Sequence, residues 1–138
     1  MIVVDTNVTS ELMRSAPAAE VLAWLAAQSP SDLYTSAITV AEIRYGIERL
    51  AAGRRKGLLA AAASEVFSTF AERVLAFDAP AAMYYPDIVL GRERSGSPIS
   101  GFDAQIACIC RDRGAALATR NVRDFAGVGI DLVDPSAS

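Results

Sequence analysis

Asp5, Glu42 and Asp103 are the residues of this chain whose types and settings could do chemistry, with Asn121 and Asp124 marking a fourth station. Asp5 closes the apolar run Ile2-Val3-Val4 and is followed at once by Thr6 and Asn7. That order suits a carboxylate delivered at the tip of a buried strand, where a helix begins. Glu42 lies in Thr39-Val-Ala-Glu42, Asp103 in Ser100-Gly-Phe-Asp103, and Asn121 and Asp124 follow Leu117-Ala-Thr119. Acids gathered at one end of a sheet repel one another, and a bound cation relieves that repulsion. The chain contains no histidine, which excludes Ser-His-Asp and Cys-His nucleophiles, histidine-bearing zinc sites and histidine general bases. Chemistry falls to carboxylates, metal ions, lysine, arginine or backbone, and clustered oxygen donors suit magnesium or manganese.

Each of these residues also has a structural reading. Asp5 or Asn7 could cap a helix N-terminus, where a side-chain oxygen satisfies an orphan N–H. Thr39-Val-Ala-Glu42 and Ser100-Gly-Phe-Asp103 both fit a capping box, although aspartate is short for the reach back. Asp124 could be a turn residue with a surface-facing carboxylate. Capping and ligation are compatible, because a carboxylate has two oxygens.

The elements that must position these residues alternate between strand and helix. Apolar runs predict strands over Ile2–Asp5, Leu33–Ser36, Arg73–Phe77, Ala116–Thr119 and Ile130–Val133. Helices are predicted from Val8 to Arg14, from Pro17 to Gln28, over Thr39–Ala52 with Gly53 as its end, over Leu58–Ala71, and over Phe102–Arg113 closed by Gly114. The stretch Ala79–Arg94 is helical with Pro86 inside it, so a break is expected near Tyr85. A polar loop with Gly96 and Pro98 precedes the next helix, and Asn121–Phe125 reads as a short turn or helix. This rhythm predicts a three-layer α/β/α fold with a mostly parallel sheet of about five strands, whose carboxyl ends carry the site.

At 138 residues, with 52% apolar residues, the chain reads as a single domain, 1–138, able to bury a real core. No apolar run approaches the roughly 20 residues of a membrane span, and Asp5 interrupts the first one, so a cytoplasmic protein is expected. Cys108 and Cys110 stand two apart in a helical stretch, project from different faces and read as core residues rather than a redox or zinc pair. Net charge is -3, which does not advertise nucleic acid, yet the arginines concentrate in the middle and late chain. Arg44, Arg49, Arg54, Arg55 and Lys56 fall close together, followed by Arg92, Arg94, Arg111, Arg113, Arg120 and Arg123. Such runs are usually solvated helix faces, but they keep a polyanion in play.

Four segments together carry a resemblance that runs nearly end to end: Ile-Val-Val-Asp5-Thr6-Asn7-Val8, Ser36-Ala-Ile-Thr39-Val-Ala-Glu42-Ile-Arg-Tyr-Gly46, Ile99-Ser100-Gly-Phe-Asp103-Ala-Gln-Ile-Ala107, and Leu117-Ala-Thr119-Arg120-Asn121-Val-Arg-Asp124-Phe125. In this order and at these separations the chain resembles the PIN-domain ribonucleases, and among them the VapC and FitB-like toxins of toxin-antitoxin pairs. The resemblance implies that Asp5, Glu42 and Asp103 are metal-binding acids, with Asp5 and Asp103 the more direct ligands. It implies further that Thr6, Asn7 and Thr119 line the same pocket. Asn121 stands where many members carry a fourth acid, which puts a second metal in doubt, and Asp124 is a further contributor from nearby.

The function implied is a magnesium- or manganese-dependent endoribonuclease leaving a 5′-phosphate and a 3′-hydroxyl. Glu42 would orient the attacking water, and Arg44, Arg120 or Arg123 would steer phosphates. The resemblance also implies a homodimer and a small antitoxin, expected to dock on the helical stretches Ala18–Gln28 and Thr39–Ala71. Two rival readings stay open. One is the same fold with an incomplete site, holding RNA or protein without cutting, which Asn121 favours. The other is an aspartyl-phosphate signalling domain, against which stands the lack of a paired acid beside Asp5 and of any lysine but Lys56.

Overall fold

In this computed structural model, which describes residues 1–137, five short strands form one parallel sheet. The strands are β1 (Ile2–Val4), β2 (Leu33–Ser36), β3 (Val74–Leu75), β4 (Ala116–Ala118) and β5 (Leu132–Val133), in the spatial order β3-β2-β1-β4-β5. Parallel neighbours require crossovers, and seven helices supply them: α1 (Thr6–Leu12), α2 (Ala19–Ala26), α3 (Ala37–Glu48), α4 (Arg54–Phe70), α5 (Ala79–Ala82), α6 (Tyr85–Arg94) and α7 (Gly101–Arg113). The expected three-layer α/β/α architecture is the observed one.

The short apolar run at the start of the chain becomes the central strand because it can be buried on both faces. β1 pairs with β2 through Ile2↔Leu33 and Val3↔Tyr34, and with β4 through Ile2↔Ala116, Val3↔Leu117 and Val4↔Ala118. Successive side chains alternate across the sheet, so adjacent valines enter different cores. Val3 joins Ile88, Ile106, Ile109, Leu117 and Phe125 on the face covered by α6 and α7. Val4 joins Val8, Val21 and Phe70 on the other. Ile43, Ile47 and Ala63 tie α3 to α4 in a third, smaller cluster. The chain runs outward from β1 through β2 to β3, then returns to lay β4 on the opposite side of β1. The crevice beyond the carboxyl ends of β1 and β4 is therefore the switch point of the sheet.

Several boundaries differ from the sequence reading, each for a local reason. β1 ends at Val4, and Asp5 occupies the N-cap position of α1, which starts at Thr6 rather than Val8. The cap of α3 is Ser36, whose Oγ accepts the Thr39 N–H at 3.1 Å; Thr39 is inside the helix, which ends at Glu48. α4 begins at Arg54 rather than Leu58, with three cations in a first turn that the helix dipole disfavours. Lys56 finds compensation at the end of α3, donating to the Glu48 carbonyl at 3.0 Å beside the Glu48 carboxylate at 3.7 Å. The predicted break falls at Met83–Tyr84, and Pro86 sits in the first turn of α6, where its missing N–H is harmless. β3 and β5 are shorter than read because each is an edge strand with one neighbour; Gly127 and Gly129, at φ 75° and 81°, also keep the chain before β5 from extending. Gly114 closes α7 in the left-handed conformation as expected. Cys108 and Cys110 are free, buried thiols in the core. No helix among the described residues is long and apolar enough to cross a membrane.

Candidate active site

Asp5 is fixed by its backbone before its side chain acts. Its N–H donates to the Ala118 carbonyl at 2.9 Å, extending the β1–β4 ladder one residue past the strand, and its carbonyl accepts the Thr9 N–H at 3.1 Å. Although Asp5 stands at the N-cap position, its side chain makes no capping bond. The carboxylate instead turns to the β4 side, where Oδ2 accepts from the fully buried Thr119 hydroxyl at 2.8 Å. Thr119 is held in turn by the Asn121 N–H at 3.0 Å and the Asn7 side-chain amide at 3.3 Å. With 4% of its surface exposed, Asp5 is pushed up to about 6. Burial is the main cause; the Thr119 hydroxyl and the Thr6 N–H oppose it, and the charges of Asp103 and Glu42 add to it.

Glu42 reaches the same place from α3, and Asp103 from the first turn of α7. Glu42 Oε1 accepts from the Thr6 hydroxyl at 2.9 Å. Its carboxyl is raised above the usual carboxylate range by burial, against that hydrogen bond and with help from Asp103. Asp103 makes one half of the predicted capping box, its N–H donating to Ser100 Oγ at 3.2 Å, while its carboxylate does not reach back to the Ser100 N–H and stays half-buried toward the crevice. It too is raised, by burial first; the Ser100 hydroxyl lowers it, Asp124 raises it and Arg92 lowers it.

A cavity of about 630 Å³ joins Asp5, Glu42 and Asp103 with Thr6, Asn7 and Asn121. Thr119 lies behind it rather than on its wall. Asp124 is not on the wall either and reaches the site only through its charge on Asp103. Of the three arginines expected to steer phosphates, Arg120 lines the cavity. Arg44 and Arg123 do not: Arg44 lies over the Phe67 ring at 5.5 Å, and Arg123 belongs to the 3-10 turn Val122–Phe125.

The sequence reading missed Ser10, Glu11 and Arg14, which complete the wall. Glu11 is a buried carboxylate whose oxygens are both occupied. Oε2 accepts the Ala18 N–H at 2.9 Å, and Oε1 receives Arg120 at 2.6 Å and Arg14 at 3.4 Å. These partners, the Ala18 N–H foremost, hold it below its ordinary value. Its spacing offered a signal, since Asn7 and Glu11 are four apart on one helix and share a face. Ser36 and Thr39 were also missed as functional positions; they stand behind Glu42 and are fully buried.

The donor set fits a hard divalent cation. Three raised carboxylates of oxygen type face one crevice, while the cations nearby are engaged elsewhere: Arg120 on Glu11, and Arg92 on the carbonyls of Ser97, Asp124 and Ala126. Among the described residues no three histidine, cysteine, aspartate or glutamate side chains are gathered tightly enough to hold an ion as they stand. Mutual repulsion is a sufficient reason for like charges to stand apart.

Comparison with known proteins bears on the whole chain. Residues 2–130 match the PIN domain family. The chain is 41% identical over 136 residues to the VapC ribonuclease Y4jK of Sinorhizobium fredii, covering 98% of this chain and 97% of that protein. It is 36% identical to the toxin FitB of Neisseria gonorrhoeae, covering 98% of each. Among solved structures, that of FitAB bound to an IR36 DNA fragment superposes with a TM-score of 0.92 at 35% identity, over 100% of this chain and 97% of that one.

Proposed function

Since the chain belongs to the PIN-domain family, and has VapC and FitB toxins as relatives over nearly its full length, we propose that it is a metal-dependent endoribonuclease, the toxin of a toxin-antitoxin pair. The observation that carries this reading is the convergence of Asp5, Glu42 and Asp103 on one crevice at the switch point of the sheet, each carboxyl raised and none paired with a cation among the described residues.

Asp5 and Asp103 would hold a magnesium or manganese ion, with Glu42 at its flank. When bound, such an ion lowers the pKa of a water and offsets charge developing on the phosphate. Glu42 orients the attacking water. The water oxygen joins phosphorus and gives up a proton, the bond from phosphorus to the 3′ oxygen breaks, and that oxygen takes up a proton to leave as a 3′-hydroxyl opposite a 5′-phosphate. Thr119 and Thr6 keep the Asp5 and Glu42 carboxylates aimed by donating hydrogen bonds without adding charge. Asn7 fixes the following loop, its Oδ1 accepting the Arg120 N–H at 3.3 Å. Arg120, anchored on Glu11 at the cavity wall, is the cation placed to meet a backbone phosphate. Asn121, neutral where a fourth acid would add charge, favours a single ion; it also supports the rival reading of a domain that holds RNA without cutting it.

The partner expected on this reading is a small VapB-like antitoxin, with the toxin as a homodimer working in the cytoplasm, where its RNA would be. A groove of about 960 Å³ between α1 and α4 suits a partner helix or strand. It is lined by Leu12, Met13, Leu58, Leu59 and Val66, with Arg14, Arg54 and Arg55 among its residues. It uses the Thr39–Ala71 half of the surface expected from sequence and not α2.

The test is cleavage of total RNA by the purified protein and by Asp103→Asn, with and without magnesium or manganese, followed by mapping of fragment ends. Wild type should cut only with the ion, and the variant should lose cleavage while remaining folded. Undiminished cutting by the variant refutes the site; tight RNA binding without cleavage under any divalent ion establishes the binding-module reading.

A further inference from the structure

Glu42 is held from behind by a row of hydroxyls. Thr6 Oγ1 donates to Glu42 Oε1 at 2.9 Å, and Thr6 Oγ1 and Thr39 Oγ1 stand 3.0 Å apart. Ser36 Oγ donates to Thr39 Oγ1 at 3.4 Å while accepting the Thr39 N–H at 3.1 Å. A hydroxyl has one proton to give, so the bonds have a direction that can be read back from the carboxylate. The proton of Thr6 is spent on Glu42, so the bond between the threonines is made with the proton of Thr39. Thr39 then has only lone pairs left for Ser36, whose proton it accepts. All three protons point toward Glu42.

The row starts at the cap of α3, crosses to the first residue of α1 and ends on the second turn of α3. Ser36 and Thr39 have no exposed surface, so water cannot compete for the bond between them, while Thr6 carries the line to the cavity wall. Buried hydroxyls with fixed partners lock a side chain more tightly than a solvated contact does. We propose that Ser36, Thr39 and Thr6 form a one-way hydroxyl line that fixes Glu42 Oε1 and leaves Oε2 as the oxygen presented to the attacking water, with Thr39 as the positioning residue that aligns the line. The proposal rests on the nuclease reading and deepens it. It assigns a role to two residues that touch neither ion nor substrate.

The experiment compares wild type with Thr39→Val, which keeps the side-chain shape and deletes the hydroxyl, and with Thr39→Ser, which keeps the hydroxyl. Cleavage of a single-stranded RNA is followed with manganese, and hydroxyl proton resonances are recorded by NMR in metal-free protein. Thr39→Val should lower kcat by roughly 10–100-fold, the usual effect of losing an outer support of a metal site, with KM within about twofold of wild type. Thr39→Ser should recover most of kcat. In the metal-free wild type the Ser36 and Thr39 hydroxyl protons should exchange slowly with solvent, and that of Ser36 should lose protection in Thr39→Val, which removes its acceptor. Equal kcat for folded Thr39→Val and wild type overturns the proposal. So does failure of Thr39→Ser to restore kcat, which would mean that packing is what matters. If wild type cuts no RNA under any divalent ion, the nuclease reading fails, and the hydroxyl signals alone then decide: fast exchange of the Ser36 and Thr39 protons in wild type overturns the line.

Discussion

Replacing Asp5 by asparagine should make the metal-free protein more stable at neutral pH while destroying its activity. The carboxyl of Asp5 is raised from 3.8 to about 6, chiefly by burial. A folded-state value above the unfolded one means that folding favours the protonated form. The stability this group contributes is full below about pH 4 and is lost as pH rises through about 6. At about 1.4 kcal/mol per unit, a displacement of roughly two units amounts to about 3 kcal/mol held against the native state at pH 7. Asparagine resembles the protonated acid in size and neutrality, and its Oδ1 can still accept from Thr119. The stability of Asp5→Asn relative to wild type should therefore be near zero at pH 4 and climb by about 3 kcal/mol between pH 4 and 7. For a chain of this length that is a gain of roughly 8–12 °C in Tm. Taking the difference between the two proteins removes the opposing slope from Glu11 and Asp134, whose carboxyls are lowered and so lose stabilisation as pH falls. The assay is urea and thermal unfolding in a chelator at intervals from pH 4 to 8, repeated with manganese. The ion should stabilise wild type and leave the variant unmoved. A difference that stays flat across pH would refute the claim that Asp5 is ionised against its surroundings.

Asn121→Asp should restore a fourth carboxylate to the cavity wall, raising the stoichiometry or affinity of manganese in calorimetric titration and lowering metal-free stability; unchanged binding would show that this position does not face the ion. The Thr35 hydroxyl is buried and finds no partner among the described residues, so Thr35→Val should be stabilising by about 1 kcal/mol in urea unfolding, and a loss of stability would reveal a partner. Arg120→Ala should raise KM for RNA and weaken its salt dependence while leaving manganese affinity unchanged, because the guanidinium is engaged by Glu11 and not by the acids of the crevice.

What could be read in the sequence was whatever a strong local pattern enforces. Val3 and Val4 announce a buried strand by their run, Gly114 a helix end by its conformational freedom, and Pro86 a break by its missing N–H. The placement of Asp5, Glu42 and Asp103 followed from the rule that parallel sheets open at their carboxyl ends. What escaped is what tertiary partners decide. Leu58 was a reasonable start for α4 by its apolar stripe, but Lys56 gains the end of α3 and draws the helix back to Arg54. Thr39 reads as a cap because caps and buried hydroxyl relays use the same residue types; only the position of Ser36 separates them. Glu11 and Arg120 are 109 positions apart, and nothing local links them. Charge alone marks Arg44 and Arg123, and charge does not say where a long side chain points; neither lies on the cavity wall.

The contrast between Glu11 and the other acids explains the choice of partners in the site. Glu11 has an arginine at 2.6 Å and a backbone N–H at 2.9 Å; its charge is neutralised and both oxygens are used, so it is closed to an ion although it lines the same cavity. Asp5 and Glu42 are met by neutral donors, the Thr119 and Thr6 hydroxyls with the Thr6 N–H beside Asp5, and by no cation among the described residues. A hydroxyl fixes a carboxylate in direction but leaves its charge in place and its second oxygen free. A lysine or arginine in either position would have offset the cost of burial that chiefly raises these acids and stabilised the fold, and would have removed the attraction for a divalent cation in the same stroke. Threonine at positions 6 and 119 thus gives orientation without neutralisation, and it leaves the burial cost of the Asp5 charge for a bound cation, if one is held there, to offset.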